Sequence, residues 1–259
     1  MTKNMIDTRV PRIIVLYWII KIASTTLGET GADMFSMTFD LGYATTIFIF
    51  MITFLVFLGI KLSLKRYEPL TYWLTFTATA IVGTAISDFI DRTLGLGYAV
   101  GSLVLVSLLG IVLYLWHRID GTLSVEKIYK TSSELYYWIA FLIANTLGTA
   151  AGDFLADDLG IGFVQSATLI SIMLVSLVVL NYYTKISKIF LFWLAFVLTR
   201  PFGATFGDLL TKPLDHGGLD LGTVGSSAFF MAVLVLALIF EINYEKIHHY
   251  RKRVFFKRD

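Results

Sequence analysis

The sequence predicts an all-α membrane protein with eight transmembrane helices, arranged as four parallel two-helix repeats. Two observations lead to this fold class. The 259 residues are 56% hydrophobic and only 15% charged, with a mean hydropathy of +0.74. A motif also occurs four times, and a long apolar segment follows each copy. Because about 20 apolar residues in a helix cross a bilayer, each motif and the segment after it predict one pair of spanning helices.

The four copies of the motif share three positions. Each copy begins with Tyr or Phe followed by Trp, has Gly ten residues after the Trp, and ends in Asp fifteen residues after it. Because every repeat holds two spans, all four repeats enter the membrane in the same direction. The three positions are Trp18, Gly28 and Asp33; Trp73, Gly83 and Asp88; Trp138, Gly148 and Asp153; and Trp193, Gly203 and Asp208.

The repeats divide the chain into two halves. Ten additional residues separate the second repeat from the third and predict a polar linker. We expect an N-terminal half over 1–120, a cytoplasmic linker over 121–130, a C-terminal half over 131–245 and a basic cytoplasmic tail over 246–259. The helices are expected at approximately 12–34, 43–62, 70–90, 98–116, 134–155, 163–184, 189–210 and 223–243.

The distribution of basic residues predicts the orientation of the chain. The N-terminus, the connections from even to odd helices and the C-terminal tail hold most of the 21 lysine and arginine residues, whereas the opposite loops hold only Arg92 and Lys212. Cytoplasmic loops of membrane proteins carry such an excess of positive charge. We therefore predict a multi-pass protein of the cell inner membrane with both termini in the cytoplasm. Membrane lipid is the expected partner, and the net charge of +2 indicates no nucleic-acid partner.

Small residues on the odd-numbered helices predict close packing between these helices. A second small residue lies four positions after each motif Gly, and this spacing lets transmembrane backbones approach. Polar residues at seven, eleven and fifteen positions after the Trp share the neighbouring helix face. We expect an inner ring of odd helices whose polar faces meet, and an outer ring of even helices that face lipid. The residues assigned to close packing are Gly28, Gly83, Gly148, Gly152, Gly203 and Gly207.

The polar faces predict an acidic site. Five carboxylates and the two cations Lys21 and Arg200 give this set a formal charge of −3. Ionisable groups inside a membrane are costly and mark functional sites, and we expect protons or a bound cation to neutralise the excess charge. Oxygen ligands without Cys or intramembrane His favour Mn²⁺, Mg²⁺ or Ca²⁺. The predicted ion ligands are Glu29, Asp33, Asp88, Asp153, Asp208, Thr84, Asn145 and Thr149, with the four Asp residues as metal ligands.

Lys21 and Arg200 break the symmetry of the repeats. We expect both to serve in charge pairing or gating, and a pair between Glu29 and Arg200 is a natural arrangement because an unpaired Arg is costly within a membrane. Pro201 is expected to loosen or kink the seventh helix. Two alternatives stay open: the charges pair for structural reasons alone, or the four Asp residues cap helices near the outer interface.

The repeated Trp, Gly and Asp positions resemble those of a known family. It comprises bacterial integral-membrane proteins of unknown function, built from four tandem repeats that each hold two transmembrane segments and a characteristic Trp. The resemblance spans nearly the whole chain. It implies the eight-helix architecture and, because the family has no settled activity, it implies no substrate.

The acidic site favours a membrane transporter or exporter of a small cation, such as a divalent metal like manganese, with possible coupling to protons. A proton or cation channel is the first alternative, and a membrane scaffold or sensor without transport is the second. An enzyme is not expected, because the chain has no HExxH, GxSxG or P-loop motif. No cofactor is expected, and the sequence leaves the oligomeric state open.

Overall fold

The computed structural model describes residues 8–255, with side chains through residue 244. Within this range the chain forms eight α-helices and no β-strand, which confirms the predicted all-α class. The predicted basic tail, 246–259, lies outside the described side chains, although the last helix continues into it. The helices are α1 (Val15–Asp33), α2 (Gly42–Leu64), α3 (Pro69–Asp88), α4 (Tyr98–Asp120), α5 (Thr131–Asp153), α6 (Phe163–Tyr183), α7 (Lys188–Thr211) and α8 (Thr223–Phe255).

Seven helices in the described part of the chain are long and apolar enough to cross a membrane, as in a multi-pass membrane protein. The remaining helix, α1, is less apolar because it contains Lys21, Glu29 and several Ser, Thr and Gly residues. Nearly all of its residues from position 20 onwards are buried. The polar side chains of α1 are therefore covered by the protein itself.

The helices pack in a cyclic order. α1 contacts α3 and α7, and α5 contacts the same two helices, so the odd-numbered helices form a closed bundle. Each even-numbered helix packs mainly against the odd helix that follows it, and α8 packs against α1. In their most apolar stretches, 78% of the α3 segment is buried but only 17% of α2. Each repeat is thus held mainly by its neighbours in the cycle.

The helices α1, α3 and α5 end at the motif Asp, and α7 ends three residues after it. In the first three repeats the α-helix passes into a π-helical turn, at Met34–Thr38, Phe89–Thr93 and Phe154–Asp158. In the fourth repeat α7 continues through Pro201 to Thr211, and the extra residues of this repeat form a short 3-10 turn at Leu214–His216.

The turn into each even helix contains two residues with positive φ angles. Glycine adopts this left-handed conformation at no steric cost, and Asp tolerates it better than most residues. The second position of the turn is glycine in all four repeats. The residues are Asp40, Gly95, Gly160 and Asp220 at the first position, and Gly42, Gly97, Gly162 and Gly222 at the second.

Candidate functional site

Equivalent residues of the four repeats meet in layers inside the odd-helix bundle. The layers recur every four residues, so consecutive layers are about 6 Å apart along the helices. We name five of them by one characteristic residue. They are the tyrosine layer (Tyr17, Tyr72, Tyr137, Phe192), the lysine layer (Lys21, Phe76, Phe141, Phe196), the arginine layer (Thr25, Ala80, Asn145, Arg200), the glutamate layer (Glu29, Thr84, Thr149, Ala204) and the aspartate layer (Asp33, Asp88, Asp153, Asp208).

Lys212 joins two carboxylates of the aspartate layer. Its Nζ atom lies 2.9 Å from Asp33 Oδ2 and 3.1 Å from Asp208 Oδ1. Burial disfavours the charged form of Lys212, but the two carboxylates outweigh this effect and raise its pKa well above the usual lysine value. Lys212 is therefore a cation that links α1 to the end of α7.

Arg92 joins the other two carboxylates. Its Nε atom lies 3.3 Å from Asp88 Oδ1, and its Nη2 atom lies 3.5 Å from Asp153 Oδ2. Arg92 Nε also donates a hydrogen bond to Tyr98 Oη over 3.0 Å. The four Asp residues are thus brought to one end of the bundle, where two cations hold them in two pairs.

Arg92 and Lys212 were not among the site residues predicted from the sequence. Each lies four residues after its motif Asp, a spacing at which helical side chains meet, and this spacing is the signal that identifies them. With them included, five carboxylates face four cations in and beside the bundle, so the formal charge is −1 instead of −3.

The four Asp residues predicted as metal ligands lie in two cation-bridged pairs, and a metal site among them stays a prediction. Within residues 8–244, no group of three or more His, Asp or Glu side chains is placed to hold a metal ion. The physical reason is the pairing described above. The side-chain nitrogens of Arg92 and Lys212 occupy the space between the carboxylates that a metal ion would need.

Glu29 lies in the middle of the bundle and contacts residues from the other three repeats. Its Oε2 atom lies 3.3 Å from Arg200 Nη1. The same oxygen accepts hydrogen bonds from Thr84 Oγ1 over 3.1 Å and from Thr149 Oγ1 over 3.3 Å. Glu29 and Arg200 are 3% and 1% exposed. The pair of Glu29 and Arg200 is therefore present and fully enclosed by protein.

Arg200 reaches this position from α7 and is held by backbone oxygens as well. Its guanidinium donates to Thr25 O over 2.9 Å and to Ala80 O over 3.2 Å, and it also donates to Thr84 Oγ1. These contacts join α7 to both α1 and α3. Glu29 is thus one of several acceptors that fix the guanidinium in place.

The motif glycines lie where neighbouring odd helices approach closely. A Cβ atom at Gly28 would be 2.5 Å from Ala80 Cβ, and one at Gly83 would be 2.8 Å from Asn145 Cβ. Only glycine permits such an approach between backbones. The same relation holds around the cycle, in the pairs Gly28 with Ala80, Gly83 with Asn145, Gly148 with Arg200 and Gly203 with Thr25.

The remaining predicted residues also lie at contacts between odd helices. A Cβ atom at Gly152 would be 3.2 Å from Ala204 Cβ, and one at Gly207 would be 3.0 Å from Glu29 Cβ. Asn145, predicted as an ion ligand, donates a hydrogen bond from Nδ2 to Thr79 Oγ1 over 3.0 Å. Its amide thus joins α5 to α3.

Lys21 is completely buried in a layer that otherwise consists of aromatic rings. Its Nζ atom donates a hydrogen bond to Phe196 O over 3.0 Å and another to Thr199 Oγ1. The same atom lies 4.2 Å from the centre of the Phe196 ring and 5.6 Å from that of Phe76. No described carboxylate lies within 4.0 Å of it. The predicted charge pairing therefore applies to Arg200 and not to Lys21.

Aromatic side chains fill the bundle at the end opposite the aspartate layer. Tyr72 and Tyr137 share a hydrogen bond of 2.5 Å between their hydroxyl groups. In the lysine layer, the Phe141 ring lies edge-on to Phe76 at 4.8 Å and to Phe196 at 4.3 Å between ring centres. These contacts leave the two layers closely packed.

Two further carboxylates are buried at this aromatic end. Glu134 Oε2 lies 2.8 Å from Arg9 Nη1, and Glu134 Oε1 lies 2.8 Å from Lys61 Nζ. Glu241 Oε2 accepts a hydrogen bond of 2.8 Å from Trp73 Nε1. These pairs tie the N-terminal segment, α2 and α8 to the ends of α5 and α3, so we assign them to the scaffold.

Comparison with known proteins supports the repeat structure. The family described as Repeat of Unknown Function (DUF347) matches residues 16–67, 71–122, 136–187 and 191–246. Each match begins at one motif and extends into the even helix that follows it, and the last match ends within α8. No curated protein and no solved structure matches the chain. The predicted resemblance to a four-repeat family of unknown function is confirmed, and the chain belongs to the Repeat of Unknown Function (DUF347) family.

Proposed function

We propose that this protein is a membrane transporter that moves a small cation through the odd-helix bundle, with protons as the coupling ion. The observation that carries the proposal is the enclosed Glu29, which contacts one residue from each of the other repeats. Replacing a buried ion pair by well-packed apolar residues of the same volume is often neutral or stabilising, so stability alone does not explain such a pair. Charges kept at this depth in a membrane protein therefore favour a role in moving charge.

In this proposal the odd helices form an inner ring, and the even helices form an outer ring that faces lipid. The cyclic contacts of the odd helices and their greater burial support this arrangement. The basic residues favour an orientation in which the tyrosine layer is cytoplasmic, the aspartate layer is near the outer surface and both termini are in the cytoplasm. For a bacterial chain this corresponds to the inner membrane.

In this proposal the transported cation binds one pair of carboxylates of the aspartate layer at a time, in place of Lys212 or Arg92. Lys212 and Arg92 have side-chain exposures of 19% and 30%, so each can turn towards water when a cation displaces it from its two Asp partners. Either pair then offers up to four oxygen atoms, which with water suits a monovalent ion or a hard divalent ion such as Mn²⁺.

A carrier is favoured over a permanently open channel. The rings of the tyrosine and lysine layers pack against one another at one end of the bundle, and Arg200 crosses its middle. A cation therefore needs a conformational change to pass. A proton or cation channel remains the alternative proposal, and a scaffold or sensor would use the same charges only to hold the helices together.

Ion flux into proteoliposomes tests the proposal. Wild type would be compared with Asp88→Asn/Asp153→Asn for Mn²⁺, Mg²⁺, Ca²⁺, Na⁺ and H⁺. We expect saturable flux of one cation against a flow of protons, reduced at least about tenfold in the double variant, which corresponds to about 1.4 kcal/mol of lost stabilisation. Asp157→Asn is the matched control, because Asp157 lies four residues beyond Asp153 and is exposed.

The outcomes separate the alternatives. Flux that does not saturate and needs no proton exchange would indicate a channel. The absence of flux for every ion, with a correctly folded protein, would contradict transport and favour the scaffold or sensor.

A further inference from the structure

We propose that Lys21 is a charge gate at the aromatic end of the bundle. In its protonated form Lys21 blocks the transported cation, and in its neutral form it lets the cation pass. The inference rests on the proposed transport function and assigns the residue that couples cation movement to protons.

Lys21 breaks the symmetry of the lysine layer. The three other repeats carry Phe at this position, and those rings pack edge to face with centres 4.8 Å and 4.3 Å apart. Lys21 takes the place of a fourth ring. Since Phe meets the packing requirement in three of the four repeats, packing alone does not explain a lysine here. The feature that Lys21 adds is an amine that can carry a proton.

The surroundings of Lys21 accommodate both protonation states of its amine. Its Nζ atom donates to one carbonyl oxygen and one hydroxyl oxygen, and both hydrogen bonds are also available to a neutral amine. The Phe196 ring, 4.2 Å away, stabilises the ammonium form. No described carboxylate lies within 4.0 Å to hold the proton in place. The amine can therefore gain or lose a proton without breaking a salt bridge.

The ammonium form of Lys21 repels a cation that enters the lysine layer. Two positive charges a few ångströms apart in a buried layer repel each other strongly, because water and salt do not screen them. A cation entering the lysine layer therefore requires the ammonium of Lys21 to release its proton to the side of the membrane from which the cation comes. The neutral amine then presents a lone pair to the passing ion, and once the ion has left it takes up a proton from the side to which the ion has gone. Each passage thus moves one proton in the direction opposite to the cation, which makes the exchange obligatory.

Other ionisable groups on the helices packed around Lys21 have to be distinguished from it. They include Tyr17 on α1 itself, Tyr72 on α3, Arg200 on α7 and Glu241 on α8. Arg200 is one layer further along the bundle, and its positive charge also repels any cation in the lysine layer. A test must therefore change Lys21 and leave these groups intact.

The experiment measures cation and proton flux together in proteoliposomes, using the cation that wild type transports. Lys21→Met removes the charge at similar length. We expect it to transport the cation without a proton gradient, at least about tenfold faster than wild type under that condition, because an electrostatic barrier of about 1.4 kcal/mol already gives this factor. Lys21→Arg keeps a permanent charge, and we expect it to slow cation flux at least about tenfold under every gradient.

Phe76→Leu alters the same layer without changing its charge, and it should keep the proton-to-cation ratio of wild type. If Lys21→Met does not fold, Lys21→Phe takes its place, because this residue occurs in the other repeats, and the proton-to-cation ratio is judged in the same way. A wild-type proton-to-cation ratio in either neutral variant, or wild-type cation flux in Lys21→Arg, overturns the proposed role of Lys21 but not the transport function. A wild type without any cation flux overturns the transport function as well.

Discussion

At the centre of the bundle Glu29 and Arg200 are 3% and 1% exposed, whereas beside the aspartate layer the side chains of Lys212 and Arg92 are 19% and 30% exposed. Both regions pair carboxylates with cations. The central pair is enclosed by hydroxyl groups and backbone oxygens, while the cations of the outer region retain contact with solvent.

This difference separates two uses of charge within one bundle. A buried ion must have all of its partners supplied by the protein, because water cannot replace a lost contact. A partly exposed cation can leave its carboxylate and be hydrated instead. The central pair should therefore dominate stability, and the outer pairs should exchange partners more easily. Four predictions test this comparison, from the largest effect to the smallest.

Arg200→Met should have the largest effect on stability. The change leaves the Glu29 carboxylate buried without a cation, at a cost of about 3–5 kcal/mol. The free energy of unfolding in detergent micelles, followed by far-UV circular dichroism, measures this cost. The double variant Glu29→Gln/Arg200→Met should recover most of it, because a neutral amide still accepts hydrogen bonds from Thr84 and Thr149. A loss below about 1 kcal/mol in the single variant would mean that the central pair contributes no more to the free energy of unfolding than an exposed ion pair.

Gly148→Ala should have the next largest effect. A Cβ atom there would overlap the Arg200 side chain and lie 3.0 Å from Pro201 Cδ, so α5 and α7 must separate slightly. We expect a loss of about 1–3 kcal/mol in the same unfolding assay. Gly31→Ala is the control, since its nearest neighbour would be Ile81 Cδ1 at 3.7 Å. Equal effects of the two substitutions would argue against close packing around Arg200.

Lys212→Met should have a smaller effect, because its side chain is partly hydrated. It loses contacts of 2.9 Å and 3.1 Å to Asp33 and Asp208, and we expect the free energy of unfolding to fall by about 1–2 kcal/mol. Lys188→Met is the control, because Lys188 is exposed at the start of α7. It should change the free energy of unfolding by less than about 0.5 kcal/mol. A loss for Lys212→Met as large as that for Arg200→Met would remove the distinction between the two regions.

The change of the Lys212→Met effect with pH should be the smallest of the four effects on the free energy of unfolding. Because the pKa of Lys212 is raised in the folded protein, its contribution is fully present below the usual lysine value of 10.5 and is lost only as the pH rises through the higher folded value. The difference in unfolding free energy between wild type and Lys212→Met should therefore be the same at about pH 8 and about pH 9.5. A marked decline over this interval would mean that Asp33 and Asp208 do not hold the ammonium group.

The helices and the polar layers could be predicted from the sequence because they depend on spacing along one chain. The interval from Trp to Asp places Asp33, Asp88, Asp153 and Asp208 at equivalent helix positions. The structure adds which carboxylates share a cation. Arg92 and Lys212 lie in short connections between helices, and a hydropathy pattern identifies them only as charged loop residues. Their partners depend on which odd helices are neighbours.

Lys21 shows why charge alone was not enough to predict a contact. Lys21 and Glu29 are eight residues apart on α1, which is about 12 Å along the helix. A salt bridge within the helix is therefore impossible, and the residues that reach Lys21 come from α7 and α3. The packing of each even helix against the next odd helix was likewise not predictable, because the even helices are mostly apolar and hydropathy does not distinguish one neighbour from another.

The cyclic packing also bears on how such a protein can arise and assemble. The contact between an even helix and the following odd helix has the same form at every step, including the step from α8 back to α1, where no loop connects the two helices. The contact therefore does not require a covalent connection. Four separate chains of one repeat each could close the same ring. Joining the four repeats in one gene would allow one repeat to change its sequence independently of the others, as Lys21 and Arg200 differ from their counterparts. A ribosome making the joined chain must finish α8 before α1 acquires its last neighbour.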